Sequence, residues 1–208
     1  MSKLPTFPVQ LITLNVSGGP NKIIYYPQVI QMENQSLERY INQSIIQQSQ
    51  ALINQQVAEM PTTVVEMLGT YEIKNNQRNV LSLTQTNYTY HDKAAHGMTY
   101  IKSLTFDLEA QKKVELKDLF KPDSNYVERL SAIIQEQIKQ RDIGLIEDFT
   151  EISPNQDFYI ADKTLVIYFQ LYEITPYVFG FPMFPISVYD IQNIIKEDGP
   201  LSRMAENN

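Results

Sequence analysis

A period-two alternation of apolar and polar side chains between Thr62 and Asp107 constrains the fold of this chain more than any other feature. A helix cannot bury one face of such a pattern, because its own repeat is about 3.6 residues. Short polar turns divide the alternation into three predicted strands at 62–74, 80–90 and 98–107. Strands that follow one another in this way form an antiparallel meander with one buried face.

Two amphipathic helices and a hairpin are predicted around this meander. In the segments 36–58 and 125–140, apolar residues recur at helical spacing. Gln and Asn fill the other face of the first helix, which predicts a solvated polar surface. Before it, two segments rich in β-formers, 9–16 and 22–30, flank a Gly-Gly-Pro turn and predict a hairpin.

Three extended segments complete the predicted secondary structure, at 158–161, 164–171 and 186–188. The predicted class is therefore α+β, an antiparallel β-sheet meander covered by two amphipathic helices, with a small N-terminal hairpin-helix module. The predicted organisation is an N-terminal module at 1–60, a larger α+β module at 61–196 and a frayed tail at 197–208.

Charge is distributed unevenly along the 208 residues, whose formal net charge is −7. Residues 1–104 carry seven basic and six acidic side chains, so the other half carries a net charge of −8. Between residues 142 and 162 there are six acids and no Lys or Arg. Nucleic acid is excluded as a partner, because phosphate contacts need clustered basic residues. The acidic stretch is either a solvated face or a docking surface for a cationic partner.

The sequence contains no motif for catalysis. Absence of Cys excludes thiol chemistry and zinc–thiolate sites, and no phosphate-binding glycine loop or nucleophile elbow is present. His91, Asp92 and His96 are metal-ligand types in one loop, but a fourth ligand is missing and their spacing matches no known template. We therefore predict no catalytic residue, no metal and no cofactor. Paired carboxylates that meet only in the folded chain stay open as an alternative.

The most unusual stretch is Tyr172–Pro185, which holds five aromatic residues and three prolines in fourteen positions. Two interpretations fit such a composition. The rings could complete the core over a sheet, or they could form an exposed recognition patch, since rigid aromatic rings give contact area at low entropic cost. Glu173 lies among these apolar residues and needs a hydrogen-bond partner if it is buried.

The sequence shows neither a spanning segment nor a leader. No window holds the roughly 18 consecutive apolar residues of a transmembrane helix. The start of the chain has prolines where a signal peptide has its apolar region.

Several short motifs resemble a known family over roughly residues 9–190. Tyr25-Tyr26-Pro27-Gln28 followed by Ile41-Asn42 resembles a small N-terminal module of unknown function. A second set resembles the larger module that follows it, namely Ala95-His96-Gly97, Thr105–Leu108, Leu116–Phe120, Ser153–Phe158 and Tyr172–Gly180. Together they resemble the extracytoplasmic region of RsiV-type anti-sigma factors, a region also found in some Bacillus peptidoglycan deacetylases and in uncharacterised Firmicute proteins.

This resemblance implies a non-catalytic binding or sensing module, because RsiV-type proteins sense lysozyme. The implied partner is a basic, lysozyme-like protein or a cell-wall ligand, and the implied location is the cell envelope. A cytoplasmic location stays open, since no signal peptide is visible. The residues predicted to contact the partner are Tyr172, Glu173, Pro176, Tyr177, Phe179, Phe181, His96, Asp148 and Glu151.

Two other functions remain as alternatives from the residues alone. One is an enzyme that acts on cell-wall glycan through a pair of carboxylates. The other is an intracellular interaction protein.

Overall fold

The computed structural model describes residues 7–206 and divides the chain into two compact units, with the division between Lys113 and Val114. The boundary predicted from sequence, after residue 60, falls inside the first unit instead. The reason is that the N-terminal hairpin and the meander share one continuous sheet. We call the two parts unit 1 (1–113) and unit 2 (114–208).

Within the described residues of unit 1, six strands form one sheet in the order of the sequence. All neighbouring strands pair antiparallel except the second and third, which pair in parallel over three residues, from Lys22–Met67 to Ile24–Gly69. The predicted α+β class with a mainly antiparallel sheet is therefore confirmed. The strands are β1 (Gln10–Gly19), β2 (Lys22–Ile30), β3 (Val64–Gln77), β4 (Val80–His91), β5 (Met98–Asp107) and β6 (Lys112–Lys113).

One long helix, α1 (Gln35–Glu59), covers this sheet. It begins at Asn34, whose side chain accepts hydrogen bonds from the backbone N–H groups of Ser36 and Leu37. Its apolar stripe packs on the sheet as the helical spacing predicts. The resulting core cluster consists of Val9, Val29, Leu37, Ile41, Ile45, Leu81, Leu83, Leu104 and Phe106.

The polar side of α1 is partly buried, which corrects the prediction of a solvated Gln/Asn face. Gln56 is fully buried, and its Nε2 donates to the backbone carbonyls of Asn87 and Met98, both at 2.9 Å. Its Oε1 accepts from the Asn87 side chain. The ring nitrogens of buried His91 face the carbonyl oxygens of Gln56 and Thr62, at 2.8 and 3.0 Å. Polar side chains therefore join the end of α1 to the sheet.

Further along the same helix face, polar contacts replace apolar packing. Gln48 donates to Gln85 at 3.0 Å, and Gln85 donates to the hydroxyl of Ser49. Tyr100 donates to Glu59 at 2.9 Å, and burial together with this bond raises the pKa of its phenol. Helical periodicity in the sequence predicts the apolar stripe of α1. It does not predict that the neighbouring polar side chains of the helix form hydrogen bonds with side chains of the sheet.

Two side-chain amides each form two hydrogen bonds with the backbone of one residue, one with its N–H group and one with its C=O group. Asn42 on α1 accepts from the N–H of Val29 and donates to its C=O, both at 2.8 Å. Asn76 on β3 brackets Val9 in the same way, at 3.2 and 2.7 Å. The amide imitates a strand neighbour, because it offers one donor and one acceptor side by side.

In the described part of unit 2, the strands β7 (Phe158–Ala161), β8 (Thr164–Tyr168) and β9 (Met183–Ser187) form an antiparallel sheet in this order, and α2 (Tyr126–Gln140) packs against β9. Short 3-10 turns lie at Leu116–Leu119, Tyr177–Phe179 and Val188–Ile191. A short helix, α3 (Pro200–Ala205), follows the last of these turns.

The predicted frayed tail is wrong over residues 200–205, where α3 is docked on unit 2. Leu201 and Met204 are fully buried, and Pro200 occupies the first turn, where a missing N–H costs nothing. Two apolar residues three positions apart are too weak a pattern to predict a docked helix from sequence. Residues 207–208 of the predicted tail lie outside the described residues.

Replacing Gln56 by Ala should destabilise unit 1. The change removes one donor from the carbonyls of Asn87 and Met98 and leaves the buried side-chain amide of Asn87 without its partner, so we expect a loss of about 1–3 kcal/mol in the free energy of unfolding. Urea unfolding of the variant measures this loss. The control is Gln47→Ala, an exposed residue of the same helix, which should change the free energy of unfolding by less than about 0.5 kcal/mol. Equal effects of the two variants would contradict the role given to Gln56.

Candidate partner-binding site

Unit 2 contains a cleft of about 330 Å³ between the acidic stretch and the start of the aromatic segment. Four carboxylates line it, and none of the described residues that line it is a Lys or Arg. The cleft therefore carries a concentrated negative field that attracts cationic groups. We call it the acidic cleft, lined by Ile146, Glu147, Asp148, Phe149, Thr150, Glu151, Tyr172, Glu173 and Ile174.

Of the carboxylates that line the acidic cleft, that of Glu173 is held in position by hydrogen bonds. It accepts a hydrogen bond of 2.6 Å from the backbone N–H of Gln170 and one of 3.1 Å from Nε2 of Gln156. Gln156 is itself buried and also donates to the carbonyl of Tyr168 at 3.0 Å. Glu173 is exposed, so the condition under which a partner was predicted does not hold, although the Gln156 amide bonds to it.

Two of the motifs noted in the sequence meet at this point. The segment Ser153–Phe158 supplies Gln156 and also Asp157, which accepts a side-chain hydrogen bond of 2.9 Å from Gln170. The backbone carbonyl of Asp157 accepts from the N–H of Tyr168 at 3.0 Å. Sequence reasoning gave Gln156 no role. Its place in a motif was the only indication in the sequence that Gln156 has a function, and a motif does not predict which side chains are in contact.

The aromatic segment divides between core and surface, with some rings buried and others exposed. Phe184 is fully buried and packs edge-to-face with Phe169 at 5.7 Å between ring centroids. Tyr172, Tyr177 and Phe179 are instead 46%, 37% and 50% exposed. The first two rings lie 5.5 Å apart and are tilted by 35°.

The exposed rings are held in position by the local backbone. Tyr172 has a φ of +64°, a value that non-glycine residues rarely adopt. Phe179 ends a 3-10 turn, and its ring packs on Gly144, where a Cβ would lie 3.1 Å from the ring. The backbone N–H of Ile146 donates to the carbonyl of Ile174 at 2.9 Å, which joins the aromatic segment to the acidic stretch.

The three exposed rings and two exposed aliphatic side chains near them are together called the aromatic patch. One of the aliphatic residues is Val178, with 85% of its surface exposed. Of the other predicted contact residues, Pro176 is exposed and Phe181 is half-buried. Asp148 and Glu151 are exposed and line the acidic cleft. The aromatic patch consists of Ile146, Tyr172, Tyr177, Val178 and Phe179.

The remaining predicted contact residue, His96, belongs to unit 1. It is exposed, and its Nδ1 lies 2.9 Å from the carbonyl oxygen of Gly97. Gly97 is required for a steric reason, because a Cβ at this position would overlap the ring of Tyr88. The glycine of the Ala-His-Gly motif therefore has a packing explanation.

The loop histidines do not form part of a cluster of metal ligands. Within residues 7–206, no group of three or more His, Asp or Glu side chains is placed to hold a metal ion. Both ring nitrogens of His91 already face backbone carbonyls. In the same described range, no helix is long and apolar enough to cross a membrane.

Two protein families match the chain, one in each unit. A family described as "Deacetylase PdaC" matches residues 22–99, and a family described as "Protein of unknown function (DUF3298)" matches residues 117–189. The chain therefore consists of a PdaC-type module followed by a DUF3298 module, which confirms the resemblance seen in the motifs.

Two curated relatives come from Bacillus subtilis. The chain is 30% identical to the anti-sigma-V factor RsiV over 184 residues, which cover 81% of this chain and 63% of RsiV. It is 24% identical to the peptidoglycan-N-acetylmuramic acid deacetylase PdaC over 199 residues, which cover 91% of this chain and 42% of the deacetylase. The chain thus spans less than two thirds of the length of either relative.

Solved structures share the fold. A DUF3298 family member from Bacteroides fragilis superposes with a TM-score of 0.69 at 14% identity, over 97% of this chain and 99% of that one. A DUF3298 family protein from Pseudomonas aeruginosa gives a TM-score of 0.67 at 11% identity, over 98% and 99%. At this identity the likeness concerns the fold alone.

Replacing Gln156 by Ala should loosen the aromatic segment. Glu173 loses a hydrogen-bond donor and the carbonyl of Tyr168 loses its side-chain partner. We therefore expect the free energy of unfolding of unit 2 to fall by about 1–3 kcal/mol. Amide hydrogen exchange in residues 170–180 should become faster. The control is Gln135→Ala, at an exposed position of α2, which should leave exchange in that segment unchanged. Unchanged exchange in the Gln156 variant would show that this amide does not hold the segment.

Proposed function

We propose that the chain is a non-catalytic sensing module and that unit 2 binds a basic protein through the acidic cleft and the aromatic patch. The observation that carries this proposal is the direct junction of the two surfaces, since Tyr172 belongs to both. An exposed aromatic cluster beside a field of one sign is typical of a protein-recognition surface.

The similarity to RsiV supports a sensing role. RsiV is an anti-sigma factor, and the motifs of this chain resemble the region of such proteins that senses lysozyme. Lysozyme is strongly basic, and the half of the chain that contains the acidic cleft has a net charge of −8. We therefore take a lysozyme-like protein as the partner to test first.

The chemistry of the acidic cleft fits a Lys or Arg side chain of the partner. A guanidinium group can donate to two carboxylates at once while its plane rests on a tyrosine ring. Glu147, Asp148 and Glu151 supply exposed acceptors, and Tyr172 supplies the ring. Because hydrogen bonds hold Glu173 before any partner arrives, less ordering is needed on binding.

The aromatic patch would supply most of the binding energy. Exposed tyrosines at the centre of an interface are typical anchor residues, whereas charges at its rim act mainly on the rate of association. The two parts of the surface should therefore have different kinetic signatures.

Replacing Tyr177 by Ala should shorten the lifetime of the complex with lysozyme. Loss of a desolvated ring should cost about 2 kcal/mol, a rise of roughly thirtyfold in the dissociation rate constant. Surface plasmon resonance measures this rate constant. A matched control is Tyr25→Ala in unit 1, which removes a tyrosine of almost equal exposure, 38% against 37%. Unchanged dissociation of the Tyr177 variant would exclude the aromatic patch from the interface.

Neutralising two acids of the cleft, in the variant Asp148→Asn/Glu151→Gln, should mainly slow association. We expect a fall of several-fold in the association rate constant at low salt, and a smaller fall at high salt, where the charges are screened. The experiment compares two ionic strengths.

The matched control for charge is Asp92→Asn/Glu66→Gln, which makes the same chemical changes at exposed positions of unit 1. It should have a smaller effect on association. A second basic protein, such as a ribonuclease, shows whether charge alone is sufficient. Wild-type protein that binds neither basic protein would overturn the proposal.

A further inference from the structure

A second concave site lies in unit 1, at the tip of the β1–β2 hairpin. Its volume is about 420 Å³, within the range of small-molecule sites. The hairpin tip, the last turns of α1 and the start of β3 form its walls. We call it the apolar cleft, and its apolar lining consists of Val16, Ile24, Ile53, Val57, Val64 and Met67.

The apolar side chains at the mouth of this cleft are exposed. Val16 and Val57 each have 51% of their surface accessible, although they lie on different elements and line the same space. Covering exposed apolar surface of this kind removes it from water and favours complex formation. The cleft therefore favours an apolar occupant.

One charged side chain marks one side of the cleft. Among the described residues of the lining, Lys22 alone carries a charge. It is half-buried and runs beside Gly18 at the hairpin tip. Within residues 7–206, no carboxylate lies within salt-bridge distance of its ammonium group. The positive charge of Lys22 at this edge of an otherwise uncharged lining favours an anionic group there.

We propose that the apolar cleft binds a single-chain carboxylate amphiphile, a fatty acid, with its alkyl chain between α1 and the hairpin and its carboxylate on Lys22. The hydroxyl groups of Thr62 and Thr63, which also line the cleft, are further donors for the carboxylate. This site is independent of the protein-binding surface proposed for unit 2, because all its lining residues belong to unit 1.

Calorimetric titration of the full chain with dodecanoate, below its micelle concentration, tests this proposal. We expect saturable binding of one molecule per chain. Each removal of two methylene groups, to decanoate and then octanoate, should weaken binding about tenfold. Dodecylammonium, with the same chain and the opposite charge, should bind at least about tenfold more weakly.

Two substitutions locate the site. Lys22→Gln should weaken dodecanoate binding about tenfold and abolish the preference over dodecylammonium, whereas Lys113→Gln, at an exposed lysine of unit 1 outside the cleft, should change neither. Val57→Glu places a carboxylate at the mouth of the cleft and should weaken binding at least tenfold. Ile46→Glu introduces the same carboxylate at another exposed position of α1, outside the lining of the cleft, and should not change dodecanoate binding. All four positions are exposed or half-buried, and circular dichroism checks that each variant is folded.

Several outcomes would overturn the proposal. These are absence of saturable binding, equal affinity for the two head groups, and affinity that does not depend on chain length. Binding to anionic phospholipid vesicles that Val57→Glu abolishes, in the absence of dodecanoate binding, would instead identify the cleft as a membrane-contact surface.

Discussion

Side-chain amides that bond to backbone groups of other elements are the interaction on which both units depend. Asn42 and Asn76 close strand edges, Gln56 joins α1 to β4 and β5, and Gln156 fixes the start of the aromatic segment. A buried backbone group without a partner costs free energy comparable to a lost hydrogen bond. An amide can satisfy a donor and an acceptor together, so each of these residues has a geometric function that Leu or Glu could not take over.

This arrangement explains how a loop of unusual composition can present a defined surface. Tyr172 has an unfavourable backbone conformation, and rings such as those of Tyr177 and Phe179 are costly to expose. The bonds from Gln156 and Gln170 to Glu173 hold the segment in spite of these costs. Structural strain retained at an exposed, charged surface is typical of a site of recognition. The physical organisation of unit 2 is therefore consistent with the partner-binding function proposed for it.

The two modules differ in the kind of surface they expose. The PdaC-type module has an apolar cleft with one lysine, and the DUF3298 module has an acidic cleft with aromatic rings. The first suits an amphiphile of negative charge and the second a cationic protein, so the two proposals concern ligands of different chemistry.

The sequence by itself determined the strands of the meander, both long helices and the uneven charge, because period-two patterns, period-3.6 patterns and composition are local properties. Only the tertiary structure decided that Gln56 is buried, that the hairpin joins the sheet of the meander, and that residues 200–205 dock as a helix. It also brought Asp148 beside Tyr172 and Gln156 beside Glu173. These outcomes depend on contacts between residues far apart in the chain, and no local pattern encodes which polar side chain will meet which.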